Sequence, residues 1–397
     1  GAAAGRVGAQ LAGEADGFRG AELPCFEGSL LAAQGRRLGS LQRILERQHP
    51  NGGWTFADWL RLRNRANEPK LLELGDPQRF EIGFGANFTA QLLTLAQVTG
   101  DPAATAAGLR ALAWVDSFAV PRAAQCWEVP AHAPDIVAAA DAIRACMAGY
   151  RLTGNPVHLQ QAERWAERGL PFLCVWNDPA IPGMRYGSIP VLGATWYTGA
   201  WYGRPVQWCG LNYAGALAAL IEAGVHDPWT AIRDGLLASG CVQQLTEPAN
   251  QALIPDAIDL AQGGLGADYW VPPYTLAMGL GHRLGAHSVP STAVAEGIRV
   301  SAVGRVAAEF RDGVLAVTAR FMEPGAHHVL VAGVGQATGV RLGNQDIPAA
   351  ARLGDGDGWC LAPDLGLLEI RLARAQQADL AITGVERREV RLLQPMR

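Results

Sequence analysis

Hydrophobic and polar positions in the first two thirds of the chain predict helices that come in pairs. A helix is predicted over 29–48 and another over 272–286. Between them, Asp or Asn directly before Pro marks three joints, as expected when an N-cap precedes proline at the first helical position. The predicted pairs are 86–100 with 103–118, 134–153 with 157–173, and 209–224 with 229–240. These joints, at Asp101-Pro102, Asn155-Pro156 and Asp227-Pro228, predict three helical hairpins.

The two helices of each pair differ in character. The leading helices, such as CGLNYAGALAALIEAG, are apolar nearly all round, which is typical of a fully buried helix. The following helices are amphipathic: Trp165 and Ala166 lie on one stripe, with Glu163 and Arg164 opposite. Buried inner helices that alternate with half-exposed outer helices predict a mainly α fold, an α/α toroid that is an incomplete (α/α)6-type barrel.

The pattern changes near residue 289, where short runs of β-type residues begin. The runs are GIRVSAV, GVLAVTARF, HHVLVAGV, GLLEIRLA, DLAITGV and REVRLL, separated by Gly and Asp turns. They predict a C-terminal antiparallel β-sandwich. The predicted domains are therefore a catalytic toroid over 1–288 and a β-sandwich over 289–397.

Composition narrows the classes of function. A net charge of −4 lacks the basic footprint of a nucleic-acid-binding protein, and no apolar run has the length of a membrane span. The seven cysteines form no CxxC pair, and no P-loop or dinucleotide fingerprint occurs in context. We therefore predict no metal and no cofactor. The chain starts at Gly without a signal peptide, so a trimmed start and a secreted or periplasmic location are compatible with it, and localisation stays open.

The stretch from Arg185 to Tyr213 is unusually rich in tyrosine and tryptophan. Gly and Pro interrupt it, so most of it is predicted to be a loop. Both residue types pair a flat apolar face with a polar group, which suits stacking on hydroxylated molecules. The cluster predicts a ligand cleft, and packing of the loop onto the core is the structural alternative. Its aromatic residues are Tyr186, Trp196, Tyr197, Trp201, Tyr202, Trp208 and Tyr213.

Polar residues precede several inner helices, whose starting ends should face one cavity. The segment CWEVPAHAPD offers Glu128, His132 and Asp135, and Asp135 has capping as its structural role. Glu128 lies between apolar neighbours, which favours a raised pKa and a general acid, whereas a salt bridge to Arg is the alternative. His132 lies in a loop and is either structural or catalytic.

Three other segments supply further candidates at equivalent places. In FEIGFGANFTA, Asn87 either caps the helix or faces the cavity, and Glu81 lies upstream. The remaining candidates are Arg185, Arg204, Gln207 and Asn212 around the aromatic loop, and Asp268, Tyr269, Trp270 and Tyr274 in GADYWVPPY. Arginine beside aromatic residues can bind a carboxylate or sulfate with two hydrogen bonds.

Two features resemble known families. Gln48, Gly52 and Trp54 fit QxxxGxW, which resembles the repeat that braces helices in terpene cyclases and other α/α toroids, so we interpret it as a structural brace. A helical toroid followed by a β domain resembles polysaccharide lyases of the chondroitin, heparin and alginate type. The β domain here is shorter than is usual in that family, and the recognisable hairpins are fewer than a full ring of six.

The resemblance to lyases implies roles for individual residues. Asn87 would neutralise a uronate carboxylate, His132 would be the base, and Tyr202, Tyr186 or Tyr197 would be the acid. Arg185 or Arg204 would hold the acidic sugar. The predicted substrate-binding set is Tyr186, Arg185, Trp196, Tyr197, Trp201, Arg204, Trp208, Asp268 and Trp270, and the predicted catalytic set is Glu128, His132, Asn87 and Tyr202.

Two alternatives to the lyase remain open. Helical-toroid glycoside hydrolases are similar in architecture, and in that case Glu128 would protonate the leaving oxygen while Asp135, Asp268 or Glu81 activates water. A non-catalytic glycan-binding protein would use the same aromatic cleft. The sequence thus predicts cleavage of a glycosidic bond in an acidic poly- or oligosaccharide, with β-elimination preferred over hydrolysis or binding alone.

Overall fold

A computed structural model describes residues 30–64, 75–123, 132–181, 183–193, 204–247, 249, 251–258, 270–271, 273–285 and 290–394. In this part of the chain a helical domain is followed by an antiparallel β-sheet. The predicted boundary after residue 288 falls in 286–289, which lie outside the described residues, so the division into 1–288 and 289–397 stays a prediction.

The helical domain contains the three predicted hairpins. The helices are α1 (Leu30–Glu46), α2 (Phe56–Leu62), α3 (Ile82–Thr99), α4 (Pro102–Asp116), α5 (Ile136–Thr153), α6 (Pro156–Gly169), α7 (Gln207–Glu222), α8 (Trp229–Val242) and α9 (Tyr274–Arg283). The leading helices α3, α5, α7 and α9 pack side by side in chain order, and α4, α6 and α8 each pack against the helix that leads them.

In the three hairpins, the leading helices α3, α5 and α7 are more buried than the following helices, as the sequence predicts. In α5, every residue from Ile136 to Gly149 except Arg144 is buried. In α6, burial is confined to one stripe that includes Trp165 and Ala166. A helix with no solvent-facing side can hold polar residues only if they find partners inside the protein.

The start of α3 differs from the prediction. The helix begins at Ile82, four residues before the predicted start at 86, and it includes Gly83 and Gly85. The indole of Trp114 in α4 packs directly on Gly85, where any Cβ would overlap the ring. Gly85 therefore serves close helix packing, not a turn. The N-cap position falls on Glu81, so the prediction that Asn87 could cap this helix is wrong.

The other helix signals have mixed outcomes. Asp101 and Asn155 cap α4 and α6 as predicted, accepting the N–H groups of Ala104 at 2.8 Å and Val157 at 3.1 Å. Asp227 does not cap α8, which begins at Trp229 with Pro228 at the N-cap position. There the N–H of Thr230 donates to the carbonyl of His226 at 2.8 Å.

The QxxxGxW segment forms the brace that its sequence indicates. The Gln48 side chain donates to the carbonyls of Gly52 at 3.0 Å and Ala107 at 2.9 Å. The buried Trp54 donates to the carbonyl of Ile44 at 2.8 Å. These bonds connect the end of α1 to α4.

The β region is built on one long antiparallel pair. Its strands are β3 (Ser291–Ala295), β4 (Ile298–Ala302), β5 (Arg305–Arg311), β6 (Val314–Ala332), β7 (Val334–Gln336), β8 (Gly339–Leu342), β9 (Gln345–Ile347), β10 (Gly358–Ala362), β11 (Leu367–Thr383) and β12 (Glu386–Arg387). Two shorter strands, β1 (Ile254–Pro255) and β2 (Trp270–Val271), pair with each other within the helical domain.

Strands β6 and β11 pair along their length, and each forms ladders with other strands at its two halves. Strand β5 pairs with the first half of β6 and β4 with the second, while β10 and β8 divide β11 in the same way. Both halves contribute to one core that contains Val300, Val317, Ile370 and Leu380. The runs GVLAVTARF and HHVLVAGV, separate in the sequence, therefore belong to the single strand β6.

The run REVRLL is not a strand, contrary to the prediction. Residues 388–394 lie against the helical domain, where Leu393 joins a core cluster with Trp54. The backbone N–H groups of Leu392 and Leu393 donate to Asp101 Oδ2 at 2.6 and 3.0 Å. The alternating apolar residues are buried by this contact, so the segment needs no neighbouring strand.

Asp101 therefore has two structural roles that mutation can separate. It caps α4 and holds the tail, whereas Asn155 only caps α6. We expect Asn155→Ala to cost about 1 kcal/mol of unfolding free energy, the usual cost of losing a cap. Asp101→Ala should cost about 3 kcal/mol, because it also leaves two backbone N–H groups without a partner. Equal losses for the two variants in urea denaturation would show that the tail contact does not stabilise the protein.

Candidate functional site

The starts of α3, α5 and α7 lie at one end of the helical domain. Glu81, directly before α3, contacts His132, which lies shortly before α5. At the start of α5, the N–H of Ile136 donates to the carbonyl of Pro190 at 3.1 Å. The N–H of Val206, directly before α7, donates to the carbonyl of Ser188 at 2.7 Å. The segments that precede three inner helices thus form one continuous surface.

Glu81 and His132 form a buried pair between two of these segments. Glu81 occupies the N-cap position of α3 but makes no side-chain cap bond, and its Oε1 pairs with His132 Nδ1. The side chains are 1% and 12% exposed. Within the described residues, Glu81 Oε2 and His132 Nε2 are buried and have no hydrogen-bond partner. Unpaired buried polar atoms are uncommon in native proteins and call for a functional explanation.

The backbone of His132 is held in a conformation that non-glycine residues rarely adopt. Its φ of 70° lies in the left-handed region. The flanking chain is fixed by hydrogen bonds from Ala123 N–H to Ala133 O and from Asp135 N–H to Pro121 O, both 2.8 Å. Arg122 also donates to the carbonyl of His132 at 3.2 Å. Strained residues of this kind cluster at active sites, where the surrounding structure maintains the strain.

The surroundings of Glu81 shift its pKa in opposing directions. Burial raises its pKa, while hydrogen bonding and charge at His132, with a smaller contribution from Arg79, oppose the rise. A carboxylate on one imidazole nitrogen orients the ring and leaves the other nitrogen to accept a proton. In this pair Nε2 is the imidazole nitrogen that does not contact the carboxylate.

A second polar cluster lies one level deeper, on the inner helices themselves. Asn87, Asp141 and Asn212 are each the sixth residue of α3, α5 and α7. They therefore lie about 8 Å below the helix starts. We call these three residues, together with Arg144, the sixth-residue layer.

Hydrogen bonds connect the sixth-residue layer across three helices. Asp141 accepts from Arg144 Nη1 at 2.8 Å and from Asn87. Arg144 Nη2 donates to the carbonyl of Asn212 at 2.7 Å, and Asn87 accepts from Gln91 at 2.5 Å. Burial raises the pKa of Asp141, and the Arg144 charge and hydrogen bonds oppose that rise.

Residual exposure on the inner helices is concentrated around this layer. Apart from the helix ends, the partly exposed residues are Phe84, Asn87 and Gln91 in α3, Arg144 in α5, and Trp208 and Gly215 in α7. Tyr274 starts α9 and is also partly exposed. Burial raises the pKa of Tyr274 to about 12, and the nearby positive charge of Arg144 opposes this. These side chains give the inner helices a shared polar and aromatic face.

The described ends of the aromatic loop are bonded to each other and to the segment that follows His132. Ser188 and Val206 close its base, and Gln207 accepts the N–H of Ser188 at 3.1 Å. On the first limb, Leu192 N–H donates to the carbonyl of Pro134 at 2.9 Å, two residues after His132. One limb of the loop is therefore bonded to the segment that follows His132, and its base lies at the start of α7.

Several predicted residues have other surroundings or lie outside the described chain. Asp135 caps α5, accepting the N–H of Val137 at 2.7 Å. The Tyr186 ring packs on Gly235 of the outer helix α8, with the exposed Arg185 guanidinium 5.5 Å from its centroid. Glu128, Trp196, Tyr197, Trp201, Tyr202, Asp268 and Tyr269 lie outside the described residues, and Trp270 is described only as strand backbone.

Two described members of the predicted substrate set lie near the starts of inner helices. Arg204 is half-buried at the base of the aromatic loop. Trp208, in the first turn of α7, donates from Nε1 to Asp256 Oδ1 at 3.2 Å. Both are consistent in position with a shared cleft, and their roles stay predictions.

Sequence reasoning missed Asp141 and Arg144. A signal was present, because these are the two charged residues within IVAAADAIRACMAG, a helix whose apolar composition already indicates full burial. Buried charges must be paired, so the spacing of three residues on such a helix marks an internal ion pair.

The described residues contain neither a metal site nor a membrane-spanning helix. No group of three or more His, Cys, Asp or Glu could hold a metal ion there. None of the described helices combines the length and the apolar character of a membrane span.

Comparison with known proteins does not assign a family. No protein-family model matches the chain, and no curated protein matches it. Among solved structures, a GH127 beta-L-arabinofuranosidase from Geobacillus stearothermophilus T6 is similar over 91% of this chain and 73% of its own, with 11% identity and a TM-score of 0.32.

The raised pKa of Glu81 predicts a pH-dependent stability. The folded protein retains this proton at pH values where the unfolded chain has lost it, so the unfolding free energy should fall as pH rises through the folded-state pKa. Glu81→Gln should reduce this slope and stabilise the protein at neutral pH. The exposed Glu309 on β5 is the matched control, and Glu309→Gln should keep the parent slope. Chemical denaturation at a series of pH values measures both, and identical slopes in all three proteins would contradict the assignment.

Proposed function

We propose that the protein cleaves glycosidic bonds in an acidic poly- or oligosaccharide, with the Glu81–His132 pair as its proton-transferring unit. The buried pair with an unpartnered Nε2 is the observation that carries this proposal. An imidazole oriented by a carboxylate suits removal of a proton from carbon, which favours β-elimination over hydrolysis.

The proposed reaction is a β-elimination at a uronate residue. His132 Nε2 takes the proton from the carbon next to the uronate carboxylate, a carbon–carbon double bond forms, and the glycosidic carbon–oxygen bond breaks. A second group returns a proton to the leaving oxygen, and Tyr202 remains our candidate for that role. Developing charge on the carboxylate needs preorganised donors, which Asn87 and Arg144 can supply.

A carbohydrate substrate is supported by the composition of the site. One limb of the Tyr- and Trp-rich loop is bonded to Pro134, two residues after His132, and Trp208 and Phe84 add aromatic side chains in the first turns of α7 and α3. Stacking surfaces combined with amide groups suit a ring that carries hydroxyls. We also propose that the inner helices belong to an α/α toroid whose shared polar face lines the central cavity.

One observation favours hydrolysis as a second candidate. A raised Glu81 pKa would keep its proton for donation to a leaving oxygen, and Asp141 is a second buried carboxyl. A hydrolase of this kind needs both carboxyls near the scissile bond. The two mechanisms give different products, so product analysis can distinguish elimination from hydrolysis.

Product analysis with His132 variants tests the proposal. Incubation with uronate-containing polysaccharides should give both the ultraviolet absorbance of unsaturated uronates and new reducing ends. A hydrolase gives only reducing ends, and a binding protein gives neither. His132→Asn keeps a residue that tolerates left-handed backbone, and it should lower turnover by about 10²-fold or more.

The control for this variant is His226→Asn, which changes an exposed histidine in the α7–α8 joint. It should keep parental turnover. If His132→Asn is folded, as judged by its melting temperature, and cleaves as fast as the parent, then the Glu81–His132 pair is not the proton-transferring unit.

A further inference from the structure

A row of hydrogen-bond donors crosses the outer face of the β-sheet, away from the Glu81–His132 pair in sequence and fold. Arg305 on β5 lies directly opposite Arg320 on β6, and Arg320 lies directly opposite Gln377 on β11. All three side chains are exposed. Directly paired residues on neighbouring strands project from the same face with Cβ atoms about 5 Å apart. Two guanidinium groups and one amide are therefore adjacent.

The two arginines have no compensating acid in the described part of the chain. Other arginines in this region, Arg311 and Arg391, pair with Glu309 and Glu389 at 2.6 and 2.7 Å. Asp379, diagonal to Arg320 on β11, instead accepts from Thr318 Oγ1 at 3.0 Å. Like charges directly opposite each other destabilise a sheet. An arrangement that costs stability is retained more readily when it has a function.

The row ends at a cavity with an apolar wall. The cavity has a volume of about 180 Å³ and is lined by Arg305, Arg320, Val303, Phe321, Met322 and Gly285 after α9. Val303 and Met322 are 47% and 53% exposed, unusual for apolar side chains. Phe321 is held in place by His327, with their rings stacked at 3.9 Å between centroids.

We propose that this face is a second glycan-binding site, which binds a carboxylate or sulfate group on Arg305 and Arg320. Guanidinium groups only donate hydrogen bonds, so the ligand must present an acceptor-rich anion. The apolar wall beside them suits the uncharged face of the same sugar residue. A nucleic acid would require an extended basic track, and the chain has a net charge of −4. The site would hold an anionic polysaccharide on the β region independently of catalysis.

The experiment compares ligands on the full chain. Binding of dextran sulfate, polygalacturonate and neutral dextran is measured by calorimetry at low salt. We expect dextran sulfate, polygalacturonate or both to bind and neutral dextran not to bind, with affinity falling as salt screens the charges. The two anionic polymers distinguish sulfate from carboxylate recognition.

Substitutions locate the binding to the row. Arg320→Gln and Arg305→Gln should each weaken polyanion binding about tenfold, the scale for one charge-assisted contact, without lowering the melting temperature. Removing one of two opposed like charges should leave the fold as stable or more stable. Arg352→Gln, an exposed arginine in the β9–β10 connection, is the matched control and should bind like the parent.

Other results would overturn the proposal. One is a polyanion affinity of the double variant, Arg305→Gln with Arg320→Gln, that equals the affinity of Arg352→Gln. The others are equal binding of neutral dextran and no polyanion binding by the parent. His132→Asn separates this site from the proposed catalytic function, because it should bind dextran sulfate or polygalacturonate as the parent does. A protein that binds polyanions but cleaves nothing would refute the catalytic proposal and leave this one intact.

Discussion

The inner helices α3, α5 and α7 have few solvent-exposed residues, and several features of the helical domain depend on this constraint. Because α3 and α5 are buried almost throughout, each polar group within them must find an internal partner. Asp141, Arg144, Asn87 and the Asn212 carbonyl satisfy one another across three helices. The same bonds set the relative depth of these helices, since a shift of one turn would separate the partners. A buried polar network of this kind specifies one arrangement more than it adds stability.

The Glu81–His132 pair, unlike the sixth-residue layer, is incompletely paired and reduces stability. Glu81 lies where a helix-capping side chain would normally satisfy backbone N–H groups, yet it makes no cap bond and contacts His132 instead. His132 in turn occupies a left-handed conformation, which flanking hydrogen bonds maintain. Burial without full pairing and a strained backbone both reduce stability. A rigid framework of packed helices can support such a site, and a general base benefits from being held in one orientation.

The β region is attached to the helical domain at several separate points. Val98 at the end of α3 packs with Leu330 and Leu367 of the sheet, and the C-terminal tail returns to Asp101 and Gln42. The sheet therefore contacts the far end of α3, opposite the end that carries Glu81. Its outer face, with Arg305 and Arg320, remains available for other interactions.

Much of this architecture can be predicted from sequence signals that lie within a few residues of each other. The caps Asp101 and Asn155, the contrast between α5 and α6, and the β-type runs were all readable from the chain itself, because their physical causes are local. Contacts between distant residues decided the rest. Trp114 packs on Gly85, and α3 begins four residues before its predicted start, while the tail satisfies its backbone on Asp101 where a strand was predicted. Helix packing also brings Glu81 to His132 and places Asn87, Asp141 and Asn212 at one level. No local pattern in the sequence connects these residues.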